Sequence, residues 1–242
     1  MLTNIRRMNS MLYVPEPDAS TLLIEQFDGY MKLEDVTLPE LKSRVLNLTE
    51  YWGGGNGLAT TTRIIKQADV VLMLHLFKSR YSRAVKQANW NFYEPRTEHG
   101  SSLSPCVYAM VASDIGYSEW GYRYFMRTAT IDLTGESKQY IGPLYIGGTH
   151  PAANGGAWMA AVLGFAGIHA EDGVVHIRPR LPERWNAVRF SLRFRGATFR
   201  IEACQRKVRI ASDAGNASEQ TFLAFDKTVR IRPGEGLSIE LE

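Results

Sequence analysis

Cysteine is scarce in this chain. Cys106 and Cys204 are the two among 242 residues, too few for a disulfide scaffold, and no Cys-x-x-Cys pair offers structural zinc. Long apolar runs are also missing. The longest, Ala68 to Phe77, is interrupted by Asp69 and His75 and falls well short of the roughly 20 residues that span a bilayer. The opening MLTNIRRMNS has two arginines but no apolar stretch behind them, so no signal peptide is read there. Neither a His-Glu-x-x-His metal spacing nor a Ser-His-Asp ordering occurs, and there is no internal repeat. A soluble, cytoplasmic protein without a membrane partner is expected.

Charge of one sign is nearly cancelled: 28 basic side chains stand against 25 acidic ones, for a net +3. That is too mild to demand a polyanionic partner. With 45% apolar and 22% charged residues, the composition is that of a folded globular protein and excludes wholesale disorder. The length admits one large domain or two small ones. One stretch is uneven. Between His176 and Ile210, nine arginines and one lysine stand against Glu183 and Glu202. A nucleic-acid stacking platform would interleave outward aromatics with such charges. Arg189, Arg193 and Arg195 have none between them, so a solvated strand face is preferred and no nucleic acid is expected.

Periodicity divides the chain near Ile168. Before it the apolar spacing is helical. Thr60 to Leu76 (TTTRIIKQADVVLMLHL) reads as one helix, apolar nearly all round and hence buried in a larger helical assembly. Ser104 to Ile115 is a second, with Pro105 in its first turn, where a missing N–H costs little. Ser118 to Thr130 is a third, and Ala152 to Phe165, rich in small residues, a fourth. Leu2 to Tyr13 reads as the end of a helix. After Ile168 the period is two. Val188, Phe190, Leu192 and Phe194 alternate with polar residues, and a turn at Gly196-Ala197 leads to Phe199, Ile201 and Ala203. Short strands follow over Lys207 to Ala211, Thr221 to Phe225, Thr228 to Ile231 and Leu237 to Leu241. The expected fold is α then β: helices over residues 1–167, then a small antiparallel β-sandwich over 168–242.

Four polar clusters could carry chemistry. Lys66 and Gln67 interrupt the most apolar helix. They are either a lysine snorkelling outward beside an edge amide, or a cation and an amide aimed into a pocket. The segment FYEPRTEHGSSLS, Phe92 to Ser104, gathers Glu94, Arg96, Glu98, His99 and serines before a helix. It is either a capping loop with Ser104 as N-cap or an anion-binding loop at a positive helix end. In YIGGTHPAANGG, Tyr145 to Gly156, glycines flank His150 before another helix, although a lone histidine is more often structural. Trp52 to Gly57, WGGGNG, lacks the Gly-Lys-Ser/Thr ending of a P-loop. Glu25, Asp28 and Asp35 could supply a carboxylate pair, with nothing to define their separation.

Four segments together resemble glycoside hydrolase family 65: IEQFDGYMKLED at Ile24 to Asp35, RIIKQADVVLMLHL, NFYEPRTEHGSSLSPCVYAMVAS and GGTHPAANGGAWMAAVLGFAGI. Its members are mostly inverting disaccharide phosphorylases. The resemblance is collinear from about Leu22 into the C-terminal sheet. It implies the closing part of an (α/α)6 barrel (residues 1–167) followed by the family's small C-terminal β-domain (168–242). It further implies that Lys66 and Gln67 hold the glucosyl unit, and that Ser101, Ser102 and His150 hold inorganic phosphate. An α-glucosidic disaccharide and phosphate would react to β-glucose 1-phosphate with inversion. Phosphate is then a co-substrate, and neither a metal nor an organic cofactor is needed.

Two departures qualify that picture. The family's general acid lies in a Gly-Pro-Asp-Glu-Tyr-like motif upstream, and no such motif occurs here. No residue of this chain is therefore expected to be the acid, and the chain is expected to be inactive alone, as a C-terminal fragment, a split-gene product whose partner is the missing N-terminal half, or a truncated remnant. Gly-Gly-Thr-His-Pro also stands where several members carry Asp-Gly-Ile-His, which points to a different acceptor. The competing reading is a non-catalytic carbohydrate-binding or structural remnant of such an enzyme. Homodimerisation, the acceptor sugar and the linkage stay open.

Overall fold

A serine and an asparagine organise the first part of the chain. Ser82 caps a helix by accepting from the Val85 N–H, which leaves Asn89 one turn from the end of that helix. The computed structural model describes residues 2–46, 57–133, 139–141, 144–146 and 148–241. They fall into two compact units, Met1–Ser101 with Lys138–Gly147, and Ser102–Ser137 with Gly148–Glu242. The glycine-rich loop at Trp52 lies outside the described residues as far as Asn56.

The first unit holds α1 (Leu2–Met11), α2 (Leu38–Ser43), α3 (Asp69–Leu76), α4 (Arg83–Tyr93) and the hairpin β1 (Gln139–Ile141) and β2 (Leu144–Ile146). Its 22–35 segment is fastened to α4 by polar groups. The Asn89 amide oxygen accepts from the Ile24 N–H at 2.8 Å, and its nitrogen donates to the Leu22 carbonyl at 2.8 Å. The Tyr93 hydroxyl donates to the Ile24 carbonyl at 2.6 Å. Asn89 and Tyr93 are fully buried, so each bond replaces water that the group has lost. Neither α2 nor α4 is expected from the sequence. α4 shows why: its buried face includes Lys86 and Asn89, which blur its apolar stripe.

The expected Thr60–Leu76 helix is shorter. Residues 60–68 are turn and extended chain, and helix begins only at Asp69. Ile65 forms a parallel bridge with Thr97. The Ile65 N–H donates to the Arg96 carbonyl, and Ile65 and Lys66 carbonyls accept from Glu98 and Gly100 N–H groups. Backbone pairing with a distant segment thus overrides the apolar spacing of Ile64, Ile65 and Ala68.

In the second unit α5 (Ser104–Ile115), α6 (Ser118–Ala129) and α7 (Pro151–Met159, continuing as a π-helical stretch over Ala160–Phe165) pack together. α5 is buried along almost its whole length. The small residues facing it matter: a Cβ on Gly156 would lie 2.7 Å from Cys106 Sγ, and one on Gly164 would lie 3.1 Å from Met110 Cα. Leu103, not Ser104, occupies the N-cap position, and Ser104 is buried in the first turn.

Two four-stranded sheets complete this unit. One runs in the order β10 (Gly236–Glu240), β7 (Lys207–Ser212), β6 (Ala197–Ala203), β5 (Val188–Phe194). The other runs β3 (Ile168–Glu171), β4 (Val174–Ile177), β8 (Gln220–Ala224), β9 (Lys227–Ile231). Both sheets contribute to one core, in which Phe199 and Phe222 meet edge to face with centroids 4.9 Å apart. The fold is helices followed by a mostly antiparallel β-sandwich. One pairing departs from the expected antiparallel order: β4 and β8 run parallel. The β5–β6 turn is Arg195-Gly196, both with positive φ, as a two-residue type I′ hairpin requires. The expected turn at Gly196-Ala197 is thus displaced by one residue, and Ala197 starts β6. At Gly167 φ is +67° and a Cβ would strike the Arg178 carbonyl oxygen at 2.0 Å, so the entry to the sandwich requires glycine. No described helix is long and apolar enough to cross a membrane.

Candidate functional site

Lys66 and Gln67 sit on extended chain just before α3, because Ala68 and not an upstream threonine occupies that helix's N-cap position. They line a cleft of about 410 Å³ in the first unit, together with Gln26, Phe27, Tyr30 and Asp69. Polar anchors give the cleft its shape. Asp69 Oδ2 accepts from the Gln26 amide at 2.6 Å, and its Oδ1 accepts from the Gln67 amide at 3.1 Å. Asp69 is thus held by two side-chain amides. The Tyr30 hydroxyl donates to the Arg63 carbonyl at 2.5 Å, and burial pushes the phenol well above its ordinary pKa. An ammonium, two amides and a carboxylate beside aromatic faces suit a ligand with many hydroxyls and apolar C–H faces.

Behind this cleft Asp35 accepts from Arg96 Nε at 2.9 Å and from Arg63 at 3.0 Å. Arg96 also lies over the Phe92 ring at 4.1 Å. Asp35 is thus a structural anion between two guanidinium groups, and Glu25 accepts from the Gly29 N–H at 2.9 Å. Both have structural partners of their own, unlike a free catalytic carboxylate pair. Glu98 is different. Burial pushes its carboxyl pKa up, and the Lys66 charge opposes that shift. Backbone bonds lace Glu98 and Gly100 to Ile65 and Lys66, so the Lys66 and Glu98 clusters form one neighbourhood of the first unit. Ser101, half-buried, ends the first segment of that unit. Ser102, also half-buried, opens the second unit just before α5.

His150 lies in the second unit and directly precedes α7. Asp132 holds it twice: Oδ1 is 2.7 Å from Nδ1, and Oδ2 accepts from the His150 backbone N–H at 2.8 Å. Asn154 donates to the same Oδ2 at 3.0 Å. These bonds, led by the His150 backbone N–H, hold the Asp132 carboxyl below its ordinary pKa. Since a carboxylate only accepts, Nδ1 carries the proton and Nε2 is the nitrogen available to another partner. Asp132 and Asn154 are invisible to motif reading because only the fold brings residue 132 to residue 150. A third group, His169, Glu171 and His176, gathers metal-type side chains in the sandwich. No metal-ligand motif marks any of the three in the sequence.

Two of the arginines in the basic stretch pair with one acid across the strand face. Glu202 accepts from both Arg189 and Arg209 at 2.5 Å, and these bonds lower its pKa.

Residues 1–159 match the model of the glycosyl hydrolase family 65 central catalytic domain, and residues 168–231 match the family 65 C-terminal domain. The chain belongs to glycosyl hydrolase family 65. It is 47% identical over 211 residues to a nigerose phosphorylase of Lachnoclostridium phytofermentans, an alignment covering 87% of this chain and 28% of the relative. It is 38% identical over 222 residues to a 1,2-alpha-glucosylglycerol phosphorylase of Bacillus selenitireducens, covering 91% of this chain and 29% of that one. A solved structure assigned as a kojibiose phosphorylase from the human microbiome superimposes with a TM-score of 0.82 at 26% identity. It covers 100% of this chain and 31% of its own. This member of the family thus spans a little over a quarter of the curated relatives it matches.

Proposed function

We propose that the chain supplies the sugar- and phosphate-holding part of an inverting α-glucoside phosphorylase, without its proton donor. In this reading residues 1–167 are the closing part of an (α/α)6 barrel and 168–242 the C-terminal β-domain. Lys66 and Gln67 hold the glucosyl unit, and Ser101, Ser102 and His150 hold inorganic phosphate. The observation that carries the proposal is the 47% identity to a nigerose phosphorylase, with Lys66 and Gln67 lining a polar, aromatic-walled cleft.

In the reaction proposed, a phosphate oxygen attacks the anomeric carbon from the face opposite the leaving group. The C1–O bond to the acceptor breaks, a C1–O–P bond forms, and a carboxylic acid outside these residues protonates the departing oxygen. Phosphate takes the place of the base-activated water of an inverting hydrolase, so one protein carboxyl is enough. The products are β-glucose 1-phosphate and the free acceptor. Phosphate is the co-substrate, and no cofactor enters. Asp132 is a positioning residue: by holding Nδ1–H it leaves Nε2 as the ring nitrogen to meet the anion. A positioned acid is worth about 10²–10⁴-fold in rate, so the chain by itself is inactive.

Amide-resolved NMR titrations check these roles. Inorganic phosphate should shift Ser101, Ser102 and His150, and glucose should shift Lys66 and Gln67. His150→Ala should weaken phosphate binding about tenfold, equivalent to about 1.4 kcal/mol. Shifts confined to other residues would refute the assignment. Glucose binding that persists without any phosphate response would favour a carbohydrate-binding remnant instead.

A further inference from the structure

The β3–β4 hairpin carries a set of side chains that the phosphorylase reading leaves unused. β3 lies at the edge of its sheet and pairs with β4 in an antiparallel register that sets His169 directly opposite His176. Directly opposed residues on paired strands point to the same face, and so do residues i and i+2. His169, His176 and Glu171 therefore share one face of the ribbon. The neighbouring pair Ile168 and Ile177 points the other way, into the sandwich core.

The distances agree with that construction. The imidazole rings of His169 and His176 lie 4.4 Å apart, tilted by 36°. His169 Nε2 is 3.8 Å from Glu171 Oε2. One ligand-type atom from each of the three residues lies within 4.8 Å of the other two. Tetrahedral zinc, with bonds of about 2.0–2.1 Å, needs its ligand atoms roughly 3.3 Å apart. The three groups are thus within a side-chain adjustment of closing on one ion. They are half-buried, which leaves solvent a way to any remaining coordination position. The backbone beneath them is held by the hairpin turn at Asp172-Gly173, both with positive φ.

We propose that His169, Glu171 and His176 form a binding site for a divalent transition metal, which clips the edge strand β3 to β4. The donor set decides the class. Two imidazoles and one carboxylate suit zinc and its neighbours in the first transition row. Magnesium and calcium prefer all-oxygen sets. The site holds none of the residues assigned to sugar or phosphate, so its success or failure is independent of the proposed reaction. Its expected effect is on the C-terminal sandwich, where the ion binds the folded hairpin and not the unfolded chain.

Isothermal titration of zinc chloride into the full 242-residue chain, first stripped with EDTA, tests the site. Saturable binding of one zinc per chain is expected, with a zinc-dependent rise in melting temperature. Cobalt(II) should show visible d–d absorption that zinc bleaches. His169→Ala and His176→Ala should each weaken binding by more than about tenfold, since even outer-shell partners contribute 10–100-fold. His75→Ala, on α3, should leave it unchanged. Circular dichroism checks each fold, and where an alanine variant does not fold, Glu171→Gln and His176→Gln give the same comparison. Absence of saturable binding, or binding that survives loss of either histidine unweakened, overturns the proposal and leaves the cluster as ordinary polar strand-face packing.

Discussion

The β-sandwich and the first unit are held together in different ways. The sandwich encloses its own core: both sheets turn aromatic and aliphatic side chains inward, and Phe199, Phe222, Ile177 and Ile231 are essentially inaccessible. The first unit depends more on polar fastenings between distant segments, such as Asn89 to residues 22 and 24, Tyr93 to residue 24, and Asp35 to Arg63 and Arg96. Its α1 buries none of its side chains. Apolar burial is non-directional and tolerates small shifts. Buried hydrogen bonds demand geometry and leave a costly orphan when broken. The sandwich thus rests chiefly on apolar burial, and the first unit adds polar fastenings between distant segments to its own buried apolar residues.

That contrast can be broken most severely at Phe222. Phe222→Ala removes a fully buried ring at the meeting of the two sheets and should cost about 3–5 kcal/mol. Urea unfolding should show the loss as a lower midpoint. Asn89→Ala should cost less, about 2 kcal/mol, because the Ile24 N–H and Leu22 carbonyl lose their buried partner. Hydrogen exchange should localise the damage to the 22–35 segment and α4, with sandwich amides unchanged. Equal exposure of both regions would contradict the division.

The remaining two substitutions probe finer differences. The folded Asp132 carboxyl has a lowered pKa, so its contribution is present above the ordinary carboxylate value of about 3.9. It is lost as pH falls through the lower folded value. Asp132→Asn should flatten that part of the acid unfolding curve and release the His150 ring from a single tautomer, read from its ring-nitrogen shifts. An unchanged tautomer would remove Asp132 from its positioning role. Smallest of all, Arg189→Ala on the exposed face of β5 should shift stability by no more than about 0.5 kcal/mol, since Glu202 keeps Arg209. A large loss there would mean that the sandwich also depends on its charged surface.

Legibility in the sequence follows the same physical divide. The alternation in β5 and β6 reads directly, because side-chain period and burial are the same fact in a two-faced sheet. α5 is legible over its full length from its apolar run and Pro105. The segment before α3 is not: its apolar spacing fits a helix, yet pairing of Ile65 with Thr97 holds it extended. Local pattern carries no information about a partner 32 residues away. For the same reason the sequence marks Lys66, Gln67 and His150 as unusual but hides Asp132, Asn154 and the His169–His176 pair. Those become visible only when strands register and loops meet.

The central claim is that the sugar- and phosphate-holding residues lie in this chain while the proton donor lies outside it. The direct measurement incubates the purified 242-residue chain with nigerose and inorganic phosphate and follows β-glucose 1-phosphate. The expected result is no release above the uncatalysed background. Turnover at ordinary enzymatic rates, about 1–10³ s⁻¹, would contradict the claim and place a general acid within these residues.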